Sequence, residues 1–232
     1  MKKAISITLL AVFLLLLTVL AAGVWHLVGK QPQRSGNLSL TGLLAPVTVR
    51  YDERGVPHIQ ASNEADLYRS LGYVHAQDRL FQMEMARRLA RGELAEVLGP
   101  KLLDIDRLFR TLGIRAHADE VARKLDPNSP TVQALLAYLD GVNQYQATHP
   151  PPIEFDVLGI SKRPFTPQDT LAFTGYLAYS FASAFRTEPA LTHVRDKLGA
   201  AYLDVFDLGS AAPVLDKSGT VADLSGADWP AL

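Results

Sequence analysis

The sequence predicts an α+β fold that is mostly helical and begins with a single β-hairpin. Residues 47–52 alternate between apolar and polar side chains, whereas later stretches place apolar residues at helical spacing, and Pro, Gly and Asn stand where helices should start or stop. A lone hairpin is not a stable sheet and exposes its edges. We therefore expect this chain to form part of a larger fold.

The hairpin is predicted from the alternation and from the turn within it. Val49 and Tyr51 alternate with polar neighbours, as in a half-buried strand. Gly55 suits a tight turn because glycine adopts a positive φ without strain. Residues 56–60 then form the second strand, which begins at Pro57 or lies at an edge because proline donates no hydrogen bond.

A long helix follows the hairpin. Asn63 is a good N-cap for this helix, and the Gly-Pro pair at residues 99–100 is predicted to end it. Asp78 interrupts the apolar stripe of this helix. An unpaired buried carboxylate is costly, so we expect Arg79 or a residue of another element to pair with it. The alternative is that Asp78 lies at the edge of the stripe and reaches water.

The second half of this helix is rich in charge. The signs are balanced, which predicts a solvated face or one that makes salt bridges to another chain, rather than a nucleic-acid patch. The net charge of −1 also argues against a polyanion partner. His58 and His75 lack clustered partners and are predicted to be structural hydrogen-bonding residues rather than metal ligands. The charged positions are Glu84, Arg87, Arg88, Arg91, Glu93 and Glu96.

Further helices are predicted downstream. Asp169 can complete a capping box with Thr166, and Gly199 can close the last helix. The predicted helical regions are residues 104–124, a helix from Pro130 to His149, a helix that begins at Thr166–Pro167, and residues 188–198.

The ends of the chain differ from its body. Two lysines precede an apolar run over residues 4–28, which predicts that residues 1–30 are either a cleaved export signal or a retained membrane anchor. Both alternatives place the body in the periplasm, or anchored to the inner membrane and facing the periplasm. Residues 31–39 are predicted to be a tether, and 210–232 a spacer or disordered tail. The chain contains no cysteine, which excludes disulfides and thiolate metal sites.

Several blocks stand out within residues 40–209, in the order GVPHI, DLYRSLGYVHAQDRLFQMEMARRLARGELAEVLG, DRLFRTLG, PIEFDVLG and RPFTPQD. Together these blocks resemble the penicillin acylase family of N-terminal nucleophile hydrolases, which includes penicillin, cephalosporin and acyl-homoserine lactone acylases. The resemblance implies that the chain is the α-chain part of an αββα fold. Its partner would be a β chain cut from the same precursor. The implied reaction is hydrolysis of a linear amide, either a β-lactam side chain or an N-acyl-homoserine lactone.

The resemblance also implies the site residues. The nucleophile would be the N-terminal Ser of the β chain, so no catalytic residue is assigned here. Leu177, Ser180 and Phe181 would line the acyl pocket, although an aromatic-rich buried helix is the alternative. Ser180 stands where penicillin G acylases carry a gating Arg, which weakens any expectation of an aromatic acyl group. Glu188 would be a ligand of a structural calcium ion, or else an ordinary surface residue. The alternative function is a truncated, non-enzymatic relic or a membrane-anchored helical interaction module.

Overall fold

The computed structural model describes residues 2–182, 184–199 and 202–203, and it describes side chains from residue 12 onward except at 184–186. The chain divides into two compact units, residues 1–178 and residues 179–232. The helices are α1 (Lys2–Val28), α2 (Glu64–Arg91), α3 (Ala95–Leu98), α4 (Leu103–Thr111), α5 (Ile114–Ala122), α6 (Pro130–Thr148), α7 (Ile153–Leu158), α8 (Pro167–Phe181) and α9 (Ala184–Leu198), with one 3₁₀ helix at Pro100–Leu102 and strands β1 (Thr48–Tyr51) and β2 (Pro57–Gln60).

The strands form the predicted hairpin. β1 and β2 pair antiparallel, with Thr48 opposite Gln60. Gly55 has φ 75° in the turn. The carboxylate of Asp52 closes the turn by accepting the backbone N–H of Val56 at 2.9 Å. The prediction of a mostly helical chain with one early hairpin is thereby confirmed for the described residues.

The long helix starts as predicted but ends earlier. The Asn63 side chain caps α2 by accepting the backbone N–H of Asp66 at 2.9 Å. The predicted end at 99–100 is wrong, because Gly92 adopts a left-handed conformation (φ 66°) and its N–H returns to the last turn of α2. The residues up to Leu98 form the separate short helix α3.

Two other predicted boundaries are also wrong. The helix predicted over residues 104–124 is interrupted at Gly113, whose φ of 71° separates α4 from α5. The last helix begins at Ala184 rather than at Glu188 and accommodates Pro189 within it. The starts at Pro130 and Pro167 are confirmed. The predicted tail, residues 210–232, lies outside the described residues.

The core of the first unit is built on a very close crossing of α2 and α6. A Cβ added at Gly72 would lie 1.9 Å from the carbonyl oxygen of Tyr138, and one added at Gly141 would lie 1.8 Å from that of Arg69. Only glycine allows two helix backbones to approach so closely. The buried residues around the crossing are Tyr73, Ala76, Leu80, Leu139, Val142, Tyr145, Phe155, Ile160 and Phe165.

The end of α1 is joined to the body by charge. Lys30 Nζ lies 2.8 Å from a carboxylate oxygen of Asp156 and donates to the carbonyl oxygen of Pro151 at 2.7 Å. His26 Nε2 lies 2.9 Å from the same carboxylate oxygen. Within the part of the chain that the structure describes, no helix is both long enough and apolar enough to cross a lipid bilayer.

Candidate functional site

The residues assigned to the acyl pocket lie on α8. Leu177 belongs to the first unit and is 36% exposed, whereas Ser180 and Phe181 belong to the second unit. Phe181 is 83% exposed, which is unusual for so large an apolar side chain, and Ser180 is also exposed. Their role in acyl binding stays a prediction. The alternative that these side chains lie in a buried helix does not match their exposure in this structure.

The residue assigned to calcium is Glu188, near the start of α9, where its side chain is exposed. Among the residues that the structure describes, no group of three or more His, Asp or Glu side chains could hold a metal ion. A calcium ion takes six or more oxygen ligands. The assignment of Glu188 to a calcium site stays a prediction.

The charged second half of α2 is where the structure departs most from the sequence analysis. The prediction of a solvated or inter-chain face is wrong, because Glu84 is 0% exposed and Arg87 is 1% exposed. Glu84 is paired within α2, with Arg87 and Arg88. Arg87 and Arg91 also contact the loop before α8 and α8 itself, and sequence spacing along α2 gives no sign of those partners. We call this set the ionic cluster: Glu84, Arg87, Arg88, Arg91, Glu93, Arg163 and Asp169.

Glu84 is the centre of the ionic cluster. Its carboxylate accepts hydrogen bonds from Arg87 and, at 2.6 Å, from Arg88. Arg87 Nη1 also donates to the carbonyl oxygens of 163–164 at 3.1 and 3.0 Å, and its guanidinium lies 4.0 Å above the ring centroid of Phe165. Burial lowers the pKa of Arg87, while the charge of Glu84 acts in the opposite direction. These contacts fix the loop before α8 onto α2.

Glu93 forms the second centre of the ionic cluster. It accepts from Arg163 at 3.0 Å and from Arg115 at 3.2 Å, and Arg91 bridges it to Asp169 at 3.3 Å from each carboxylate. Burial raises the pKa of Glu93, but the hydrogen bond and charge of Arg163, together with the charge of Arg91, outweigh burial and hold the pKa below its usual value.

Asp169 joins the ionic cluster to the start of α8. Its carboxylate accepts the backbone N–H and the hydroxyl of Thr166, each at 2.9 Å, which confirms the predicted capping interaction. Asp106 caps the start of α3 in a similar way, because its carboxylate accepts the N–H groups of Leu94 and Ala95 at 2.9 and 2.8 Å. The acidic residues of the DRLFRTLG and RPFTPQD blocks therefore secure the ends of helices.

A cavity of about 480 Å³ opens beside a kink in α2. Arg79 interrupts the helix with φ −135° and ψ 18°. At the cavity wall, His75 Nδ1 and the Tyr138 hydroxyl lie 2.6 Å apart. Burial first, and then the charge of Arg79, lower the pKa of His75, and burial raises the pKa of Tyr138 to about 12. Both groups are therefore neutral near pH 7.

The structure also decides the partners of three other predicted residues. Asp78 is largely buried, and its partner is Arg34 of the segment before the hairpin, at 3.7 Å, rather than Arg79. His75 is a hydrogen-bonding residue, as predicted, and so is His58, whose ring lies 3.3 Å from the carboxylate of Asp52.

The comparisons with known proteins agree with this fold. The family model described as penicillin amidase matches residues 46–223. The chain belongs to this family, and the resemblance to penicillin acylases is confirmed.

Among the relatives, the penicillin acylase 2 proenzyme of Pseudomonas sp. (strain SE83) is 46% identical over 61% of this chain and 18% of its own length. Acyl-homoserine lactone acylase QuiP of Pseudomonas aeruginosa is 34% identical over 73% of this chain and 20% of its own length. The chain thus spans about a fifth of the curated relatives it matches. It is also similar to a solved thermostable penicillin G acylase from Alcaligenes faecalis, with 29% identity and a TM-score of 0.54, over 72% of this chain and 95% of the matched chain.

Proposed function

We propose that this chain is the α-chain portion of an amidohydrolase that cleaves a linear amide of the penicillin side-chain or N-acyl-homoserine lactone class. The main support for this proposal is that the chain covers very different shares of two kinds of relative. The chain matches 95% of one chain of a penicillin G acylase structure but only about a fifth of the curated relatives. A piece of this size would supply part of the substrate pocket and would need a further chain of the same precursor.

The catalytic chemistry is proposed to belong to that further chain. In the family that this chain resembles, an N-terminal serine attacks the amide carbonyl and its own α-amino group takes the hydroxyl proton. A free α-amine can do so because it titrates near neutral pH. The amine would leave first, and water would then hydrolyse the acyl-enzyme to a carboxylate.

The proposed contribution of α8 is to bind the acyl group. Leu177 and Phe181 offer exposed apolar surface that water covers poorly, and an acyl chain or a partner would bury it. Ser180 provides a small hydroxyl where a gating Arg would narrow the pocket. This supports an aliphatic acyl group at least as well as an aromatic one.

Glu188 is proposed as one ligand of a structural calcium ion, with the other oxygens supplied from outside the described residues. Its exposed carboxylate supports this because a buried, paired carboxylate would not be available to a cation. Calcium would stabilise the assembled enzyme and would take no part in the chemical step.

Export of the body is proposed from the N-terminal sequence. Lys2 and Lys3 precede the apolar residues of α1. An alkaline phosphatase fused after Leu232 should be active in Escherichia coli, because that enzyme needs the periplasm. An intact but inactive fusion would contradict export.

The function is tested by joining this chain in frame to the downstream part of the Pseudomonas penicillin acylase 2 proenzyme. We call this protein the joined precursor. It should hydrolyse phenylacetyl or long-chain acyl amides, and this chain alone should not. Phe181→Ala should change the relative kcat/KM for short and long acyl chains roughly tenfold, since a pocket wall contributes about 1–3 kcal/mol to discrimination.

The matched control is Arg123→Ala, an exposed residue at the end of α5. It should leave acyl preference unchanged. A joined precursor that matures but shows no amidase activity would favour the alternative of a relic or an interaction module.

A further inference from the structure

The strongest unassigned feature is the cavity at the kink of α2. Its walls are mostly apolar, and Arg79 and Gln82 at its edge are exposed. The principal apolar and aromatic side chains of the wall are Met83, Ala86, Leu139, Phe165 and Phe173. An open apolar cavity of about 480 Å³ has room for a large side chain and is costly to leave filled with water.

The cavity wall is held in place before anything enters it. Phe165 is packed under the guanidinium of Arg87 at 4.0 Å, and Arg87 is bound to Glu84 and to the carbonyl oxygens of 163–164. Asn143 accepts the N–H of Phe165 at 2.8 Å and donates to its carbonyl at 2.9 Å. A fixed wall lowers the entropic cost of docking a partner.

The kink itself points to an intermolecular role. Arg79 lies outside helical φ/ψ although neither proline nor glycine forces it, and interruptions of this kind often mark functional positions in helices. Arg79 is exposed, and no carboxylate of the described residues lies within salt-bridge distance of it. A cation at the edge of an apolar cavity is complementary to an apolar side chain that has a carboxylate nearby.

We propose that this cavity is the anchor point for a segment of the downstream chain of the same precursor. The segment inserts one aromatic or long aliphatic side chain into the cavity and places an adjacent Asp or Glu against Arg79. This inference rests on the proposed function. The occupant follows from the coverage of the relatives, since about four-fifths of their length lies outside the match to this chain. The neutral pair of His75 and Tyr138 adds hydrogen-bonding groups at the wall without a charge to desolvate.

The first arm of the test is a photocrosslink in the mature joined precursor. Gln82→p-benzoylphenylalanine places the probe at the edge of the cavity on an exposed residue, so the fold should tolerate it. The crosslinked peptide should come from the downstream chain and contain an aromatic or long aliphatic residue beside Asp or Glu. Crosslinks confined to this chain, to a second copy or to a small acid would overturn the inference.

The second arm measures association of the two mature chains. Arg79→Glu should raise their dissociation constant roughly tenfold by placing like charges together, and Arg79→Gln should have a smaller effect. Arg123→Glu is the matched control, an exposed charge reversal outside the cavity wall, and it should change the constant less than twofold.

The two proposals fail in different ways. An active joined precursor in which Arg79→Glu behaves like Arg123→Glu would overturn the anchor while leaving the amidase function intact. A joined precursor whose parts neither associate nor hydrolyse an amide would overturn both.

Discussion

The two halves of α2, which meet at Arg79, are held by opposite means. The first half crosses α6 with its backbone in near contact at Gly72 and packs apolar side chains around the crossing. The second half is held to the loop before α8 by the ionic cluster, with Glu84 fully buried. A helix that is kinked at Arg79 can therefore be anchored by packing on one side of the kink and by ion pairs on the other.

The two anchors of α2 are expected to fail in different ways. A steric contact fails gradually as backbones move apart, whereas a buried ion pair fails sharply because the remaining charge is left without a partner. The variants below are measured in the joined precursor.

The largest effect is expected from Glu84→Gln, which removes the buried carboxylate that Arg87 and Arg88 share and leaves them only Asp169 at 3.6 Å and Glu96 at 3.0 Å. Breaking a buried pair in this way costs about 3–5 kcal/mol. The melting temperature should fall by many degrees, or the protein should not accumulate. Glu120→Gln is the control, since Glu120 forms an exposed pair with Lys124 at 2.5 Å. It should change the free energy of unfolding by less than about 1 kcal/mol. Equal effects of the two variants would contradict the burial of the ionic cluster.

Gly72→Ala tests the packed half. The new Cβ would meet the backbone oxygen of Tyr138 at 1.9 Å, so the helices must separate, at a cost of about 1–3 kcal/mol. Gly175→Ala is the comparison, because its Cβ would meet a side chain rather than backbone, the Cγ2 methyl of Ile114 at 2.8 Å, and a side chain shifts at lower cost than a packed helix backbone. The melting temperature of Gly72→Ala, measured by calorimetry, should lie well below that of Gly175→Ala. A Gly72→Ala protein as stable as the parent would rule out the close crossing.

Asp106→Asn tests the carboxylate that holds the start of α3. The variant keeps one acceptor oxygen for Leu94 or Ala95 but loses the charge, which should cost about 1–2 kcal/mol. Asp104→Asn, an exposed neighbour on α4, is the comparison and should be nearly neutral. The melting temperature of Asp106→Asn should lie below that of Asp104→Asn.

Lowering the pH should destabilise the second half of α2, which the ionic cluster holds, more than the first half. Glu93 has a pKa below its usual value, so its contribution to stability is present above the unfolded pKa of about 4.3 and is lost as pH falls toward the folded pKa. The protection of residues 80–91 against hydrogen exchange, corrected for the intrinsic exchange rate at each pH, should fall below about pH 4.3. In Glu93→Gln this acid dependence should shrink, and an unchanged dependence would show that Glu93 is not its source.

The parts of the fold that sequence predicts are those with local causes. The hairpin follows from alternation and Gly55, and the helix starts follow from Asn63, Pro130 and Pro167. The end of α2 was misplaced because Gly92 and the Gly-Pro pair at 99–100 are equally good local stop signals. Asp106, which is distant in sequence, favours the stop at Gly92 because its carboxylate accepts the N–H groups of Leu94 and Ala95 at the start of α3.

The ionic cluster was missed for a physical reason. Charges at helical spacing look alike on a solvated face and in an interior, and only the partners distinguish the two cases. Asp169 pairs with Arg87 and Arg163 pairs with Glu93, and both pairs join residues far apart in sequence, so nothing local indicates them. The sequence nevertheless contains both Arg163 and Asp169 in one of the blocks already singled out, RPFTPQD.

Anchoring of the second half of α2 by coupled buried charges is tested most directly by a double-mutant cycle between Glu84 and Arg88. The measurement is the free energy of opening of residues 80–91 from hydrogen exchange in the joined precursor, for Glu84→Gln, Arg88→Leu and the double variant. Coupled charges predict that the double variant is less destabilised than the sum of the single variants, by about 2 kcal/mol or more. Additivity within about 0.5 kcal/mol would contradict anchoring by coupled charges.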